Sequence, residues 1–223
     1  MAGAAFTAYG LPALAAAFPR LRSPLGIRDR VARCDGVALT FDDGPHSQGT
    51  PAVLEALAAA GARATFFLVG EQVERRPALA AEIAAAGHEV ALHCHRHRNL
   101  LRLRPSQVSA DLVRAVAVIG EATGQTPRLY RPPYGIFTTA ALIIAHHHGW
   151  EPLLWSRAGH DWARRATPAS IAARLTDNLR GGEILLLHDA DHYGAHDSWR
   201  RTVSALPLVF EGLSRERLAP VMA

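Results

Sequence analysis

The stretch VALTFDDGP, residues 37–45, joins a short apolar run to two adjacent aspartates and a Gly-Pro pair. The run Val37–Phe41 predicts a buried strand, because short apolar runs that end at turn residues are typical of strands inside parallel sheets. Asp42 and Asp43 follow at the carboxyl end of this strand, where adjacent carboxylates repel each other unless a cation neutralises one of them. Taken alone, the segment is also compatible with a solvated turn, since Asp, Gly and Pro all favour turns.

The same arrangement, an apolar run followed by an Ala- and Leu-rich stretch, recurs along the rest of the chain. The predicted strands are Val37–Phe41, Ala64–Val69, Glu89–Leu92, Arg128–Tyr130, Glu151–Trp155, Ile184–Leu187 and Leu218–Met222. The predicted helices are Pro51–Ala60, capped by Thr50, then Pro77–Ala86, Ser106–Thr123, Thr138–His148, Pro168–Arg180 and Ser198–Leu213. This strand–helix alternation predicts an α/β fold, a deformed (β/α)7-type barrel, with a doubly wound open sheet as the alternative. In both folds, functional groups lie at the carboxyl ends of the strands.

The composition is that of a globular protein with one full core, since 49% of the 223 residues are apolar and 20% are charged. All 24 basic residues are arginine. The absence of lysine excludes Schiff-base catalysis and a Walker-type phosphate loop, which both require a lysine amine. We interpret the net charge of +4 as a generally solvated arginine-rich surface, and we predict no nucleic-acid partner.

The first 33 residues differ in character from the rest of the chain. Residues 1–19 carry no charge, and five arginines follow by residue 33. We predict that the segment 1–33 packs on, or leads into, a domain at residues 34–223. The remnant of a membrane anchor or export signal is the alternative, although the segment lacks a basic start and is interrupted by Pro12 and Pro19. No transmembrane span is predicted.

The two cysteines, Cys34 and Cys94, are predicted to stay unpaired. Cys34 precedes one predicted strand and Cys94 follows another, so parallel strands would place the thiols at opposite ends of the sheet. A six-residue strand spans about 20 Å, whereas a disulfide requires Cα atoms within about 7 Å.

Histidines follow the third predicted strand in the segment His93-Cys94-His95-Arg96-His97. His93 and His97 are four residues apart, and on a helical turn this spacing places both imidazoles on one face. With Asp43 they would supply the three protein ligands of a catalytic zinc site, which keeps a fourth position for water. His95 is predicted to point elsewhere.

Polar groups also follow the later strands. Arg131-Pro132-Pro133-Tyr134-Gly135 follows the fourth strand, and its two prolines would fix the backbone around the arginine. Asp161-Trp162 follows the fifth strand, and His188 directly follows the apolar run of the sixth. A histidine in that position is a candidate general acid.

In this order, the segments resemble the five motifs of the polysaccharide deacetylases, carbohydrate esterase family four. The matching segments are Thr40–Pro45, Gly87–Glu89 with His93 and His97 up to Leu100, Arg131–Gly135, Asp161-Trp162 and Leu186–His188. The resemblance extends from about residue 37 to residue 221. It implies a deformed barrel and a metal-dependent hydrolase that removes N-acetyl groups from an amino-sugar polymer or oligomer, such as peptidoglycan or a chitin-like glycan.

The resemblance also implies a role for each matching residue. Asp42 would be the catalytic base oriented by Arg131, and His188 would be the general acid with Asp161 as its partner. One divalent metal would be held by Asp43, His93 and His97, with Zn²⁺ expected and Co²⁺ or Ni²⁺ suited to the same ligands. The residues implied in substrate binding are Pro132, Tyr134 through its main-chain amide in an oxyanion hole, Trp162 and Leu186.

Two positions and one loop depart from the family pattern. Cys94 stands where the family has Ser or Thr, so a hydroxyl that holds the loop is lost. His160 stands where arginine is frequent, and the loop at residues 189–197 is unusually polar.

Other functions stay open at this point. The same site would suit a deformylase or an acetyl-xylan esterase. A glycan-binding module without activity is disfavoured because binding alone requires neither Asp42 nor His188. A His-rich metal-handling protein is suggested by the twelve histidines, including His146–His148 at a predicted helix end. A glycan substrate implies an extracytoplasmic or cell-wall location, with the cytoplasm as the alternative, and nothing in the sequence indicates an oligomeric state.

Overall fold

One curled sheet of parallel strands lies at the centre of the structure, a computed structural model that describes residues 9–223. Its strands are β1 (Gly36–Asp42), β2 (Thr65–Leu68), β3 (Glu89–Leu92), β4 (Leu129–Tyr130), β5 (Glu151–Pro152), β6 (Arg157–Ala158), β7 (Ile184–His188) and β8 (Ala219–Val221). Seven α-helices surround it in the described residues: α1 (Gly49–Ala59), α2 (Gly70–Arg75), α3 (Pro77–Ala85), α4 (Pro105–Thr123), α5 (Thr139–His147), α6 (Pro168–Thr176) and α7 (Ser198–Arg215). This arrangement confirms the predicted deformed α/β barrel.

The strand order across the sheet is β5-β4-β3-β2-β1-β7-β6. Strand β8 pairs with the first residues of β1, and β2 pairs with its last residues. The register of the β1–β7 pair aligns Asp42 with His188. The parallel register therefore brings two residues that are far apart in sequence to the same end of the sheet.

Strand β1 is buried along its whole length, and its side chains alternate between two environments. One set packs into the main core with the surrounding helices: Val37, Leu39 and Phe41. The other set faces the inside of the curled sheet, where Ala38 packs in a second apolar cluster. Thr40 and Asp42 lie on this inner face and contact Arg131. The inner face thus begins as an apolar core and ends as a polar site.

The segment before β1 lies against the sheet. Arg28 forms a single β-bridge with Leu153, and Arg30 forms one with Glu183. The first bridge lies just after β5, at one end of the strand order, and the second lies just before β7, the neighbour of β6 at the other end. The predicted boundary between residues 33 and 34 stays a prediction, and residues 1–8 of the predicted N-terminal segment lie outside the described residues.

Two elements were not predicted, α2 and β6. The six-residue helix α2 lacks a clear apolar period, and the two residues of β6 are too few to give a strand pattern. The predicted strand Glu151–Trp155 ends early, because the Leu154 amide donates to the Arg28 carbonyl at 2.8 Å and leaves the sheet. The predicted helix Pro168–Arg180 ends at Thr176, because the next residue, Asp177, has an extended backbone.

The prediction that Thr50 caps the first helix was wrong. Helix α1 begins at Gly49, one residue before Thr50. The Thr50 hydroxyl accepts a hydrogen bond from the His46 amide at 2.7 Å and donates one to Asp189. Thr50 therefore ties the loop after β1 to the loop after β7.

Both cysteines are free thiols, Cys34 exposed and Cys94 buried, as predicted. In the part of the chain that the structure describes, no helix combines the length and the apolar character needed to cross a membrane.

Candidate active site

Three residues from two loops at the carboxyl end of the sheet converge on one point. Asp43 follows β1, and its backbone is left-handed with φ of 81°. Its Oδ1 lies 3.4 Å from His93 Nε2 and 3.4 Å from His97 Nε2. One atom from each residue lies within 4.8 Å of the others, a spacing that a single metal ion can bridge.

The predicted convergence of the histidines occurs, but the predicted helical turn does not. Residues 93–97 form an irregular loop in which Cys94 is left-handed, with φ of 64°. This reversal at Cys94, rather than the i, i+4 geometry of a helix, brings the rings of His93 and His97 to a centroid distance of 5.4 Å. His95 is buried and points away, with its Nε2 3.8 Å from Glu74.

The donor set fits a divalent cation, and the tautomer of His93 shows why. His93 Nδ1 lies 2.7 Å from the Arg131 carbonyl oxygen, which can only accept, so Nδ1 carries the proton. In the neutral ring, Nε2 therefore carries a lone pair, which faces Asp43 Oδ1. That oxygen is buried and has no hydrogen-bond partner among residues 9–223. Two acceptors that face each other in a buried site repel unless a cation lies between them, and imidazole nitrogens with a carboxylate oxygen suit Zn²⁺.

The pKa values of His97 and Asp43 agree with their roles as metal ligands. Burial lowers the pKa of His97 to about 4, so its ring is neutral at neutral pH. Burial alone would raise the pKa of Asp43, but its contact with His93 and the positive charge of His188 hold that pKa at about 2. The carboxylate is therefore ionised and able to act as a ligand.

Asp42 is held from behind by a fully buried arginine. Arg131 Nη1 donates to Asp42 Oδ1 at 2.6 Å and to Thr40 Oγ1 at 2.9 Å, and Nη2 donates to the Leu154 carbonyl at 3.2 Å. The guanidinium carbon lies 4.0 Å from the centroid of the Phe67 ring. Because Arg131 occupies Oδ1, the other oxygen of Asp42 faces the site, 3.9 Å from His93 Nε2.

His188 is held by a second carboxylate. Its Nδ1 lies 2.9 Å from Asp161 Oδ1, and its backbone amide donates to Asp161 Oδ2 at 2.7 Å. The Thr202 hydroxyl also donates to Asp161 Oδ2 at 2.7 Å. Burial opposes the charge of the imidazolium, but the carboxylates of Asp161 and Asp43 outweigh it and raise the pKa of His188 to about 10. His188 is therefore a cation whose free nitrogen, Nε2, faces Asp43 at 3.9 Å.

These groups border a cavity of about 270 Å³. The cavity is lined by Asp42, Asp43, His93, His97, Tyr134, Gly135, Trp155, Trp162, Leu186, His188 and Tyr193. Of the residues predicted to bind substrate, Tyr134, Trp162 and Leu186 are in this lining. Pro132 is buried and is not among the lining residues, and its predicted role stays a prediction. Arg131 and Asp161 lie behind the lining, in contact with Asp42 and His188.

The backbone at Tyr134 and Gly135 runs along the wall of the cavity. Tyr134 is left-handed, with φ of 60°, and its side chain is 55% exposed. At the next residue, Gly135, a Cβ atom would lie 2.7 Å from the Trp155 ring, so only glycine fits between the backbone and that indole. Trp162 meets the edge of the His188 ring at a centroid distance of 5.2 Å.

Several residues that support the site were not identified from the sequence. Asp111 on α4 is the clearest: its Oδ2 accepts from the His95 amide at 2.6 Å, and its Oδ1 accepts from Arg98 at 2.6 Å. A signal for it existed, because Asp111 lies in the buried stripe of α4, where an acidic residue is rare. Thr202 and Tyr193 carried no comparable signal, because both act through contacts between distant parts of the sequence.

A second cluster, His46, Asp191 and His192, also has the spacing of metal ligands. Its hydrogen bonds argue against a metal. His46 Nδ1 accepts from the Gly49 amide at 2.9 Å, so the proton of the neutral ring lies on Nε2, which faces Asp191 Oδ1 at 3.3 Å. A protonated nitrogen is not a ligand. The His46–Asp191 contact therefore fastens the loop at residues 189–197 to the start of α1.

Comparison with known proteins places these features in a family context. Residues 29–153 match the family model described as polysaccharide deacetylase. A chitooligosaccharide deacetylase of Bradyrhizobium sp. is 37% identical over 186 residues, which cover 80% of this chain and 84% of that protein. A peptidoglycan-N-acetylglucosamine deacetylase of Bacillus cereus is 33% identical over 182 residues, 81% of this chain and 82% of that protein. The structure of a family 4 carbohydrate esterase from Streptomyces lividans in complex with acetate superposes with a TM-score of 0.76 at 31% identity, covering 86% of this chain and 94% of that one.

Proposed function

The chain belongs to the polysaccharide deacetylase family, amide hydrolases of N-acetylated glycans, and we propose that its own site performs this reaction with one divalent metal held by Asp43, His93 and His97. The observation that carries the proposal is the lone pair of His93 Nε2, which the Arg131 carbonyl directs at the unpartnered carboxylate oxygen of Asp43. Zn²⁺ is the expected metal, and Co²⁺ or Ni²⁺ would suit the same donors.

A divalent metal in this position would supply Lewis-acid polarisation of the amide carbonyl and an acidified water as the nucleophile. The residues of the chain supply the proton transfers. Asp42, which Arg131 fixes through one oxygen, has its other oxygen directed into the site, where it can accept a proton from the attacking water. The fixed arrangement matters because a general base must lie within hydrogen-bond distance of the proton that it removes.

His188 would complete the reaction as the general acid. The leaving group of amide hydrolysis is an amine, which departs poorly unless its nitrogen is protonated. His188 is a cation at neutral pH, and its Nε2 borders the cavity beside Asp43. The Tyr134 main-chain amide would stabilise the oxyanion. Trp162 and Leu186 would enclose the acetyl methyl group.

A groove next to the cavity supports a glycan longer than one sugar. Tyr134 lines both the cavity and this groove, whose volume is about 660 Å³. The other lining residues are Arg98, Asn99, Arg102, Leu103 and Ile136. The exposed guanidinium of Arg102 and the partly offset charge of Arg98 make the groove basic. A basic groove favours peptidoglycan over chitin, because muramyl sugars carry a carboxylate and chitin carries no charge. Such a substrate would place the reaction outside the cytoplasm or at the cell wall.

The test is a comparison of products. Acetate release should be measured from muramyl-containing peptidoglycan fragments, chitin oligomers and acetylated xylan, and formate release from N-formyl analogues of the same oligomers. We expect acetate from the N-acetylated glycans, faster from the muramyl-containing ones. The matched control is Asp42→Asn, which retains the three ligand residues and should release acetate about 10²–10⁴-fold more slowly than the parent. Release from xylan esters alone, or of formate alone, would overturn the proposed N-deacetylase activity.

A further inference from the structure

The two histidines assigned to the metal are held in different ways. His93 is fixed by a hydrogen bond from its Nδ1 to the Arg131 carbonyl. Metal-binding histidines are commonly held in this way, because a hydrogen bond from the second nitrogen fixes both the tautomer and the orientation of the ring. His97 has no such bond: its Nδ1 is buried and has no hydrogen-bond partner among residues 9–223.

The side chain that stands where the family has a hydroxyl does not supply the missing bond. Cys94 is buried, and its Sγ contacts the Tyr130 hydroxyl at 3.8 Å. The thiol is therefore directed into the core. Without a bond to Nδ1, rotation of the His97 ring about its Cβ–Cγ bond would replace Nε2 by a carbon atom and remove a ligand.

Two aromatic rings hold His97 instead. The Tyr193 ring stacks on it at a centroid distance of 4.0 Å and an interplanar angle of 10°. Tyr134 meets it edge-on, at 4.6 Å and 67°. A stacked ring excludes the tilted orientations through which an imidazole would have to rotate, so the contact with Tyr193 holds the plane of the His97 ring and blocks its rotation.

Tyr193 is itself anchored to the element that supports the histidine loop. Its hydroxyl donates to Glu71 Oε1 at 3.0 Å and accepts from Gln72 Nε2 at 3.2 Å. Both residues belong to the first turn of α2. The backbone amides of the same turn, Gly70 and Glu71, donate to the carbonyls of residues 94 and 95 at 3.0 and 2.8 Å. Helix α2 therefore fixes the histidine loop and the stacking ring relative to each other.

We propose that Tyr193 is a positioning residue that orients His97 for metal binding, through stacking in place of the hydrogen bond that orients His93. The proposal rests on the proposed ligand set of Asp43, His93 and His97. It gives the polar loop at residues 189–197 a function: the loop carries a ring that completes the metal site from a distant part of the sequence. The alternative is that Tyr193 is only a wall of the substrate cavity.

Metal affinity separates these two roles, because a wall alone would change substrate binding and leave the metal unaffected. Zn²⁺ affinity should be measured by competition with a chromophoric chelator, for the parent, Tyr193→Phe, Tyr193→Leu and Tyr193→Ala. We expect Tyr193→Phe, which retains the ring, to bind Zn²⁺ nearly as the parent does. Tyr193→Ala should bind about 10–100-fold more weakly, the range known for residues that orient metal ligands. Tyr193→Leu should resemble Tyr193→Ala, because it fills the volume without a flat face.

The Co²⁺-loaded chain gives a spectroscopic readout of the same effect. The visible absorption of bound Co²⁺ should be the same for the parent and Tyr193→Phe and should change for Tyr193→Leu and Tyr193→Ala, because His97 no longer coordinates uniformly. Tyr9→Ala is the matched control, since the Tyr9 hydroxyl bonds to the Leu103 carbonyl outside the cavity lining. Circular dichroism confirms that each variant is folded.

The outcomes are distinct. Parent-like Zn²⁺ affinity in Tyr193→Leu and Tyr193→Ala, with only KM raised, would overturn the positioning role and leave the proposed function intact. A parent chain that binds no Zn²⁺, or whose affinity does not change in His97→Ala, would overturn the ligand set and this inference with it.

Discussion

The inner and outer parts of the active site are built by different means. The inner part consists of two buried ion pairs, Arg131–Asp42 and His188–Asp161, on residues at or just beyond the strand ends. The outer part consists of the histidine loop at residues 93–97, which is held by helix amides, by Asp111 and by aromatic stacking. In the inner part, hydrogen bonds fix each ring and carboxylate. In the outer part, packing between loops fixes His97. The inner part should therefore be stiffer, and the outer part should be where sequence changes alter the metal site.

The largest effect should come from the residue at which the two parts meet. His93→Ala removes one ligand and also frees the Arg131 carbonyl, so Zn²⁺ binding and acetate release should both fall to background. His97→Ala should give the same loss if the two histidines share one ion. Calorimetric titration with Zn²⁺ and an acetate assay on one soluble oligosaccharide measure both quantities. Unchanged Zn²⁺ affinity in His93→Ala would show that the ligand assignment is wrong.

The next effect should be confined to the inner part. Asp42→Asn removes the base but not a ligand, and its amide oxygen can still accept from Arg131, so the buried arginine keeps a partner. Turnover should fall by about 10²–10⁴-fold, the usual contribution of a general base, while the Zn²⁺ affinity should stay near that of the parent. Asp42→Ala would also strand the buried Arg131, and it is the poorer variant for this reason. Turnover close to the parent's would contradict the division of roles between Asp42 and Asp43.

A smaller effect is expected in the outer part. Asp111→Asn replaces one acceptor oxygen by an amide group that must face either the backbone amides at residues 95 and 96 or the Arg98 guanidinium, which are all donors. We expect about a 10-fold loss of Zn²⁺ affinity and about 1–3 kcal/mol lower free energy of unfolding. Asp177→Asn, at an exposed position, is the control. If the chelator assay gives Asp111→Asn the Zn²⁺ affinity of the parent, Asp111 does not hold the histidine loop for metal binding.

The same division explains what could be predicted from the sequence. The inner part follows from strand register, and register is encoded by apolar runs, so the proximity of Asp42, Arg131 and His188 was predictable. Strand β3 was predicted with its observed bounds, Glu89–Leu92. Nothing in a strand pattern specifies that the fifth predicted strand ends at Pro152, because the Leu154 amide donates to a carbonyl of the segment before β1, that of Arg28.

The outer part depends on backbone reversals and on contacts across the sequence, neither of which has a period. The left-handed backbone at Cys94 was not predicted, since cysteine does not favour that conformation and only the surrounding contacts impose it. The stacking of Tyr193 on His97 joins residues about a hundred positions apart. Asp111 is the exception, since a carboxylate in the apolar stripe of a helix indicates a buried polar function even without a known partner.

The smallest effect, and the sharpest test of the inner part, concerns pH. Asp161 and Asp43 raise the pKa of His188 above its ordinary value, to about 10. A general acid must be protonated, so its contribution to kcat/KM is complete at low pH and is lost as the pH rises through that pKa. Asp161→Asn removes the nearest anion and leaves burial to oppose the imidazolium, so the basic limb should move to lower pH.

The free energy of unfolding should change with pH in the same direction, decreasing as the pH rises. A raised pKa means that the His188–Asp161 pair contributes fully below the unfolded pKa of about 6.5 and that this contribution disappears as the pH rises through about 10. The kcat/KM profile and the melting temperature should therefore be recorded from pH 6 to pH 10 for the parent and Asp161→Asn. The melting temperature of the parent should fall over this range, and that of Asp161→Asn should fall less.

Thr202→Val is the control, because it removes one hydrogen bond to Asp161 Oδ2 but keeps the charge of Asp161. The basic limb of its kcat/KM profile should stay near the parent's. A basic limb that does not move in Asp161→Asn would mean that His188 is not the acid and that the Asp161 carboxylate only holds the backbone at the end of β7.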